Sequence, residues 1–408
     1  MFSIIERQRD ILGFIQSLDI SPSMYKNAVE KYHALAKHLE SYGIEAEIYP
    51  QGSFALGTVV RPSVDDSNAN YDLDFICQVR ERKSSTSPSE LRSKILKALI
   101  SNAIYSDRLS YDENCFTITY ADINNIGFAI DVVPAVDEDI ITKYRLECES
   151  ERPDLINTAI AIPRCSQEKQ YRWITSNPKG IRAWFDEINR PFALYNREQR
   201  RQIMYRDNRS VFASVEDIPE ALERSSLQRI IQIMKRHRDV YYTNLHRSDY
   251  EELKPASVII TAIVARIAKS ADSHMSVFDL LEYVLHELSV YSNRLVLNEY
   301  AFAHTYGTRT VINQINGKWM IPNPSNPEDN LADRWNSNKE IPKCFFRWID
   351  VCIHDLISSM SLSDSEFRTN MENAFGSAAI QNKWSDKYKC STLIDPAPIK
   401  TTAKPYRV

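Results

Sequence analysis

Alternation of apolar and polar residues is sharpest at YDLDFICQV, residues 71–79, where Asp72 and Asp74 fall on one side of a strand and Leu73 and Phe75 on the other. Upstream, Ala28, Tyr32, Leu35, Ala36 and Leu39 recur at helical spacing. That predicts a helix over 21–41, with Ser21 or Ser23 as cap and Gly43 as stop. A short strand over 45–49 follows. A polar loop at 84–89 leads into a helix over 89–100. Strands over 116–120 and 126–133 come next, joined by a turn at Asn124 and Asn125. These elements predict an antiparallel or mixed sheet with helices on one side.

From about residue 178 the strand signals fade. Helices are predicted over 227–242, from Pro255 through PASVIITAIVARIAK, and over 278–295, 342–360 and 363–375. Ser363 and Glu366 have capping-box spacing. Residues 322–330 read as a rigid polar loop and 391–408 as an extended or mobile tail. The expected fold class is α+β and bilobed: a small sheet-and-helix lobe packed against a larger C-terminal helical lobe, with a long N-terminal helix. The divisions fall at 1–44 (N-terminal helical segment), 45–175 (core lobe), 176–390 (helical lobe closing a cleft) and 391–408 (tail).

Composition narrows the classes. With 408 residues, the chain can form two or three domains or one large bilobed enzyme. A net charge of −4 carries no global polybasic signature for nonspecific nucleic-acid binding. Glycine is scarce, at 9 residues, and neither a dinucleotide fingerprint nor a P-loop occurs. The seven cysteines are scattered without a C-x-x-C, which speaks against a zinc knuckle or disulfide framework and suits a reducing compartment. MFSIIERQRD does not look like a signal peptide, and the most apolar stretch, 256–268, contains Arg266 and is too short to span a bilayer. A cytoplasmic protein without membrane association is expected.

The chemistry concentrates in the acidic strand. Carboxylates at i and i+2 are neighbours on one face, and their repulsion calls for a cation. A third, Asp131, lies in the alternating segment GFAIDVVPAV. If the two strands adjoin, three acidic groups meet at the sheet edge. Hard cations such as Mg2+ take that ligand set, and two ions about 3.5–4 Å apart clamp the oxygens of a phosphoryl displacement. Upstream, Gly52 allows close backbone approach to a ligand, and Ser53 offers a hydroxyl and a cap for the helix-like FALGT, whose amides attract phosphate. Each signal is bland alone: D-x-D is common on solvated strands, and GS is nearly uninformative. Their conjunction in this order is a nucleotidyl-transfer layout. Charge runs on helices are usually solvated faces, so Lys235, Arg236, His237 and Arg238 carry a bland reading too. His237 is given no chemistry.

With these residues in view, the sequence resembles the polymerase-β-type nucleotidyltransferases, and within them the bacterial cGAS/DncV-like enzymes (CD-NTases), relatives of animal cyclic GMP–AMP synthase and oligoadenylate synthase. The resemblance rests on QGSFALGT with the following RP, on YDLDF and on AIDVVPA. It extends through SNPKGIRAWF, LQRIIQIMKRHRD, KPASVIITAIVARIA and NPSNPEDNLADRW, roughly residues 20 to 375.

It implies that Asp72, Asp74 and Asp131 hold two Mg2+ ions, with Mn2+ as a substitute. Gln51, Gly52 and Ser53 would bind the donor nucleotide, and Lys235 and Ser257 match a lysine and serine that grip its triphosphate. Val258 stands where the animal enzyme has a base-stacking aromatic residue. No zinc-binding insertion is present, so no DNA activator is implied. The implied reaction joins ATP, GTP or other NTPs into a cyclic di- or trinucleotide, with Asp131 ligating the attacking-side metal. The implied partners are a messenger-binding effector and CBASS accessory proteins of anti-phage defence. Two alternatives stand beside it: a linear nucleotidyltransferase acting on RNA, a small molecule or a protein, and an inactive nucleotide- or nucleic-acid-binding antitoxin-like module.

Overall fold

The computed structural model describes residues 1–61, 71–111, 115–123, 126–166, 170–207 and 223–389. The expected turn at Asn124 and Asn125 and the tail at 391–408 lie outside the described residues. The N-terminal half contains α1 (Ile4–Gln16), α2 (Pro22–Ser41), β1 (Ala46–Pro50), α3 (Gly52–Ala55), β2 (Tyr71–Arg82), α4 (Pro88–Ile100), α5 (Ala103–Ser106), β3 (Leu109–Tyr111), β4 (Phe116–Ile123), β5 (Ile126–Asp137), α6 (Ile140–Glu149), β6 (Ile160–Cys165) and β7 (Tyr171–Ser176). The strands form one mixed sheet in the order β1-β2-β5-β4-β3, with β6 on the far end of β5 and β7 beyond it. Only the β2–β5 pairing is parallel among these ladders.

Alternation along β2 divides the sheet's two faces. Leu73, Phe75, Cys77 and Val79 join the core that includes Leu35 and Leu39 of α2 and Leu91 and Ile95 of α4. Ser21 caps α2 and Pro22 follows it, as the sequence suggests, while α4 starts from a capping box formed by Ser87 and Glu90. On the opposite face, Ile76 packs with Ala135 and Ile160, and Asp72 and Asp74 lie further along that side.

The C-terminal half is mostly helical: α7 (Pro178–Asp207), α8 (Ser226–Thr243), α9 (Tyr250–Leu253), α10 (Ser257–Ala268), α11 (Val277–Tyr291), α12 (Glu299–Tyr306), α13 (Asp333–Ser337), α14 (Glu340–Leu356), α15 (Asp364–Phe375) and α16 (Ser377–Trp384). Two small hairpins interrupt it, β8 (Asn313–Ile315) with β9 (Lys318–Met320), and β10 (Pro322–Asn323) with β11 (Asn326–Asn330). The segment expected as a rigid loop is therefore a hairpin. Its turn is stapled to the start of α7, because Asn177 Nδ2 donates to the Ser325 carbonyl at 3.0 Å.

Helix α8 runs through the middle of this half, and every residue from Ser226 to Arg238 is buried. The solvated-face reading of 235–238 is wrong for this helix. Lys235, Arg236, His237 and Arg238 are all under 10 % exposed. His237 is a core residue: Trp348 Nε1 donates to its Nδ1 at 3.0 Å, and its Nε2 lies 3.2 Å from Asp355.

Helix α1 falls within the helical segment expected over 1–44, although no separate helix is predicted ahead of residue 21. Its apolar period is diluted by the polar run ERQRD, yet Arg7 is fully buried. Arg7 donates to the Ser359 and Met360 carbonyls and to Asp364 at 2.7 Å. Ile11, Phe14 and Ile15 thus belong to the helical core, whereas α2 belongs to the sheet's core. Strands β6 and β7 also escape the apolar pattern, since Pro163 and Arg164 break it. Among the described residues, no helix is long and apolar enough to cross a membrane.

Candidate active site

The parallel pairing of β2 with β5 sets the site. Asp74 is the register partner of Asp131, and Asp72 lies opposite Ala129. Neighbouring strands are about 4.7–4.9 Å apart, so the three carboxylates start from adjoining points of one face. In strand order β2 and β5 are interior, between β1 and β4, but the β1 ladder ends at the Pro50–Phe75 pair, so Asp72 and Asp74 lie on the part of β2 that β1 leaves uncovered. On β4, Thr117 is the register partner of Asp131, and its hydroxyl donates to Asp131 Oδ1 at 2.5 Å.

Electrostatics mark the trio as a place where negative charge is costly. Burial, then Asp131 and Asp72, pushes Asp74 up to about 7, against the pull of Lys235. Asp72 is raised as well, by burial and then by Asp131. Among the described residues, no group of three carboxylate, imidazole or thiol side chains is arranged to hold a metal ion as it stands. Like charges avoid one another when no cation sits between them. The donor set still fits a hard divalent cation. It is all oxygen, it adjoins in register, and a cation would reverse the penalty that holds Asp74 partly protonated at neutral pH.

The loop ahead of β2 presses against the acids. The Gln51 amide donates to the Asp74 carbonyl at 2.8 Å. Gly52 has φ +59°, and a Cβ there would stand 2.7 Å from Asp74 Oδ2. Only glycine satisfies both the left-handed backbone and that approach. Ser53 does not cap the following helix as expected. Gln51 is the cap position, without a side-chain hydrogen bond, and Ser53 sits inside the single turn of α3. The loop closes on itself where the Thr58 amide donates to the Ser53 carbonyl at 2.9 Å.

A polar stripe on α8 grips the same loop from the helical side. Gln228 donates to the Leu56 carbonyl at 2.9 Å and Gln232 to the Val59 carbonyl at 2.7 Å. Lys235 Nζ donates to Thr58 Oγ1 at 3.0 Å and approaches the Thr58 carbonyl at 3.5 Å. Positions 228, 232 and 235 follow helical spacing and so share a face. Burial, then Arg238, pulls the Lys235 ammonium down to about 7, while Asp239 and Asp74 oppose the shift.

Two adjoining cavities lie between the walls. The larger, about 850 Å³, is lined by Ser53, Thr58, Asp72, Lys235, Arg238 and Ser257 among others. The smaller, about 290 Å³, takes in Gln51, Gly52, Ser53, Asp74, Lys235 and Ser257, with apolar walls from Ile181, Trp184, Val258 and Pro324. Seven of the eight residues singled out in the sequence thus reach the cavities, and Asp131 adjoins them through Asp74. Ser257 opens α10, and its hydroxyl accepts from Arg238 Nη1 at 3.0 Å. Sequence reasoning passed over three partners: Thr58, Thr117 and Arg238. Thr58 closes the quoted motif QGSFALGT. Thr117 follows from nothing but strand pairing. Arg238 was hidden in the charge run.

Comparison with known proteins bears on the chain as a whole. Residues 6–152 match the Second Messenger Oligonucleotide or Dinucleotide Synthetase domain family. The c-di-GMP synthase of Roseivirga ehrenbergii is 24% identical over 340 residues, spanning 82% of this chain and 74% of that protein. The structure of the Bradyrhizobium diazoefficiens CD-NTase CdnG in complex with GTP superposes with a TM-score of 0.63 at 18% identity, covering 93% of this chain and 98% of that one. Escherichia coli CdnC, solved with ATP, gives 0.56 at 15% identity over 90% and 97% of the two chains. The chain shares its fold with these proteins.

Proposed function

We propose that this chain, a member of the CD-NTases, is a metal-dependent nucleotidyltransferase that joins NTPs into a cyclic di- or trinucleotide messenger and releases pyrophosphate. The observation that carries the reading is the cleft itself: Asp74 and Asp131 in register with Asp72 on the same face, opposite a buried ammonium. Relatives solved with GTP and with ATP support purine nucleoside triphosphates as substrates.

Asp72, Asp74 and Asp131 would hold two Mg2+ ions. When bound, the ions would make the attacking ribose hydroxyl more acidic and neutralise charge developing on the departing pyrophosphate. The chain's own residues do the positioning. Ser53 and Lys235 flank the acids and face the triphosphate. Arg238 donates to Ser257 Oγ, which leaves the Ser257 proton free for a phosphate oxygen. Thr117 holds one oxygen of Asp131 in place. The apolar walls of the smaller cavity suit the flat face of a base, which supplies the stacking surface that Val258 lacks.

The product would act through a messenger-binding effector, with CBASS accessory proteins as further partners and the cytoplasm as its setting. Incubation with mixed NTPs and Mg2+, followed by mass spectrometry and nuclease digestion, tests the reading. A phosphatase-resistant cyclic product is expected. A linear product would transfer the chain to the nucleotide-adding enzymes, and absence of pyrophosphate release would reduce it to a binding module.

A further inference from the structure

We infer that Thr58 is the positioning residue for Lys235: its hydroxyl holds the buried ammonium aimed at the triphosphate while leaving the positive charge unneutralised. The inference rests on the functional reading above and adds to it a residue with an assigned task.

Thr58 is fully buried, yet it lines the larger cavity. Its backbone and side chain face two different partners. Its amide binds the Ser53 carbonyl at 2.9 Å, and its hydroxyl takes the Lys235 ammonium at 3.0 Å. One residue therefore ties together the serine and the lysine that flank the acids. Its own position is fixed from both sides. Gln228 holds the Leu56 carbonyl before it and Gln232 the Val59 carbonyl after it. Between them Gly57 turns the chain with φ +65°, and a Cβ there would stand 2.5 Å from Gln228 Nε2. The threonine has no freedom to follow the lysine, so the lysine must follow the threonine.

The chemistry of the partner matters as much as its place. A carboxylate in the same position would form a closed ion pair and cancel the charge that a triphosphate needs. A hydroxyl and a carbonyl are neutral acceptors. Among the described residues, Thr58 provides both acceptors of Lys235, whereas an ammonium carries three donors. The third is left for a ligand. When protonated, Lys235 is a preorganised cation: desolvated, oriented and, among the described residues, hydrogen-bonded to no carboxylate.

Binding of non-reacting donors with Mg2+ tests the inference, using ATP and GTP analogues whose α–β bridging oxygen is replaced by methylene. Calorimetry on the full chain gives the affinity, and thermal melting without nucleotide monitors the fold. Thr58→Val should weaken binding about tenfold, the scale of a lost hydrogen bond to a charged group. Thr58→Ser should restore it to within about twofold of the unaltered chain. On a Lys235→Met background, Thr58→Val should cause no further loss, because the two act as one unit. In turnover, Thr58→Val should raise KM more than it lowers kcat.

Thr58→Ala carries the same test should Thr58→Val fail to fold. The inference is overturned if the hydroxyl-free variants bind as the unaltered chain does, or if their loss persists in full beside Lys235→Met. Should Lys235→Met weaken binding while those variants do not, the functional reading stands and the inference alone falls. Failure of the unaltered chain to bind either analogue overturns both.

Discussion

The two walls of the cleft are built on opposite terms. On the sheet side, β2 and β5 present acids from strands whose other face is apolar, so each carboxylate occupies a position that alternation already assigns. On the helical side, α8 is surrounded, and three of its charges meet partners far away in sequence. Arg229 reaches Asp19 at 2.8 Å, Lys235 reaches Thr58, and Arg236 reaches the Phe375 carbonyl at 2.6 Å. A half-exposed element announces which residues face a ligand. A central, fully buried one does not, because sequence periodicity cannot distinguish a charge turned to water from one turned to a buried acceptor.

The sharpest way to break the comparison is to remove charge from the acid wall. Asp74→Asn or Asp131→Asn should lower pyrophosphate release from ATP and GTP by more than about 10³-fold. The fold should not suffer. Asp74 carries a cost from burial and from Asp131 and Asp72, so its neutral replacement should raise the ion-free melting temperature at neutral pH. Unchanged turnover in either variant would remove the catalytic assignment.

On the opposite wall, Lys235→Met should raise the nucleotide KM by about tenfold to a hundredfold, the worth of a charge-assisted hydrogen bond. Loss of a desolvated ammonium should again leave the melting temperature level or higher. A fall in melting temperature with unchanged KM would make Lys235 a structural residue.

The walls should also differ in their pH dependence. Asp74 is raised to about 7, so the folded chain holds a proton there that the unfolded chain has lost. Its contribution to stability is present at low pH and disappears as pH rises from about 4 to about 7. Lys235 is lowered to about 7, so the unfolded chain holds the extra proton there. Its contribution is present above the ordinary lysine range and disappears as pH falls towards 7. Together they dig a trough in ion-free stability near neutral pH. Denaturant unfolding in the presence of a chelator should find it. Asp74→Asn should flatten the acid limb alone, and Lys235→Met the alkaline limb alone.

A smaller effect tests how closely the loop touches the acids. Gly52→Ala places a methyl 2.7 Å from Asp74 Oδ2 on a left-handed backbone. The strain is about 1–2 kcal/mol, and the displaced carboxylate should cost more in kcat than in KM. Equal kcat with a lowered melting temperature would show that the contact is structural.

These contrasts explain what was legible in the sequence. The acid strand, the glycine approach and most helices follow from local pattern and capping residues. The pairing of β2 with β5 was only a condition in the sequence, because register is settled by long-range packing. Arg7 and the α8 charges defied local reading for the same reason: Asp364, Thr58 and Phe375 are remote from them in the chain. Ser53 failed as a cap because its segment makes one turn only, with Gln51 at the position where a cap would act.

Arg236 gives the finest test, since it is the immediate neighbour of Lys235 and equally buried. One residue along a helix is a rotation of about 100°, which carries the side chain away from the cleft. There it donates through Nε and Nη2 to the Phe375 carbonyl, at the C-terminal end of α15 where helix carbonyls lack partners. Arg236→Met should therefore cost about 1–3 kcal/mol of stability, read by denaturant unfolding. Its nucleotide KM should stay within about twofold, because Arg236 itself lines neither cavity. A shift in KM comparable to that of Lys235→Met would mean that the helix acts through its summed charge rather than through one aimed ammonium.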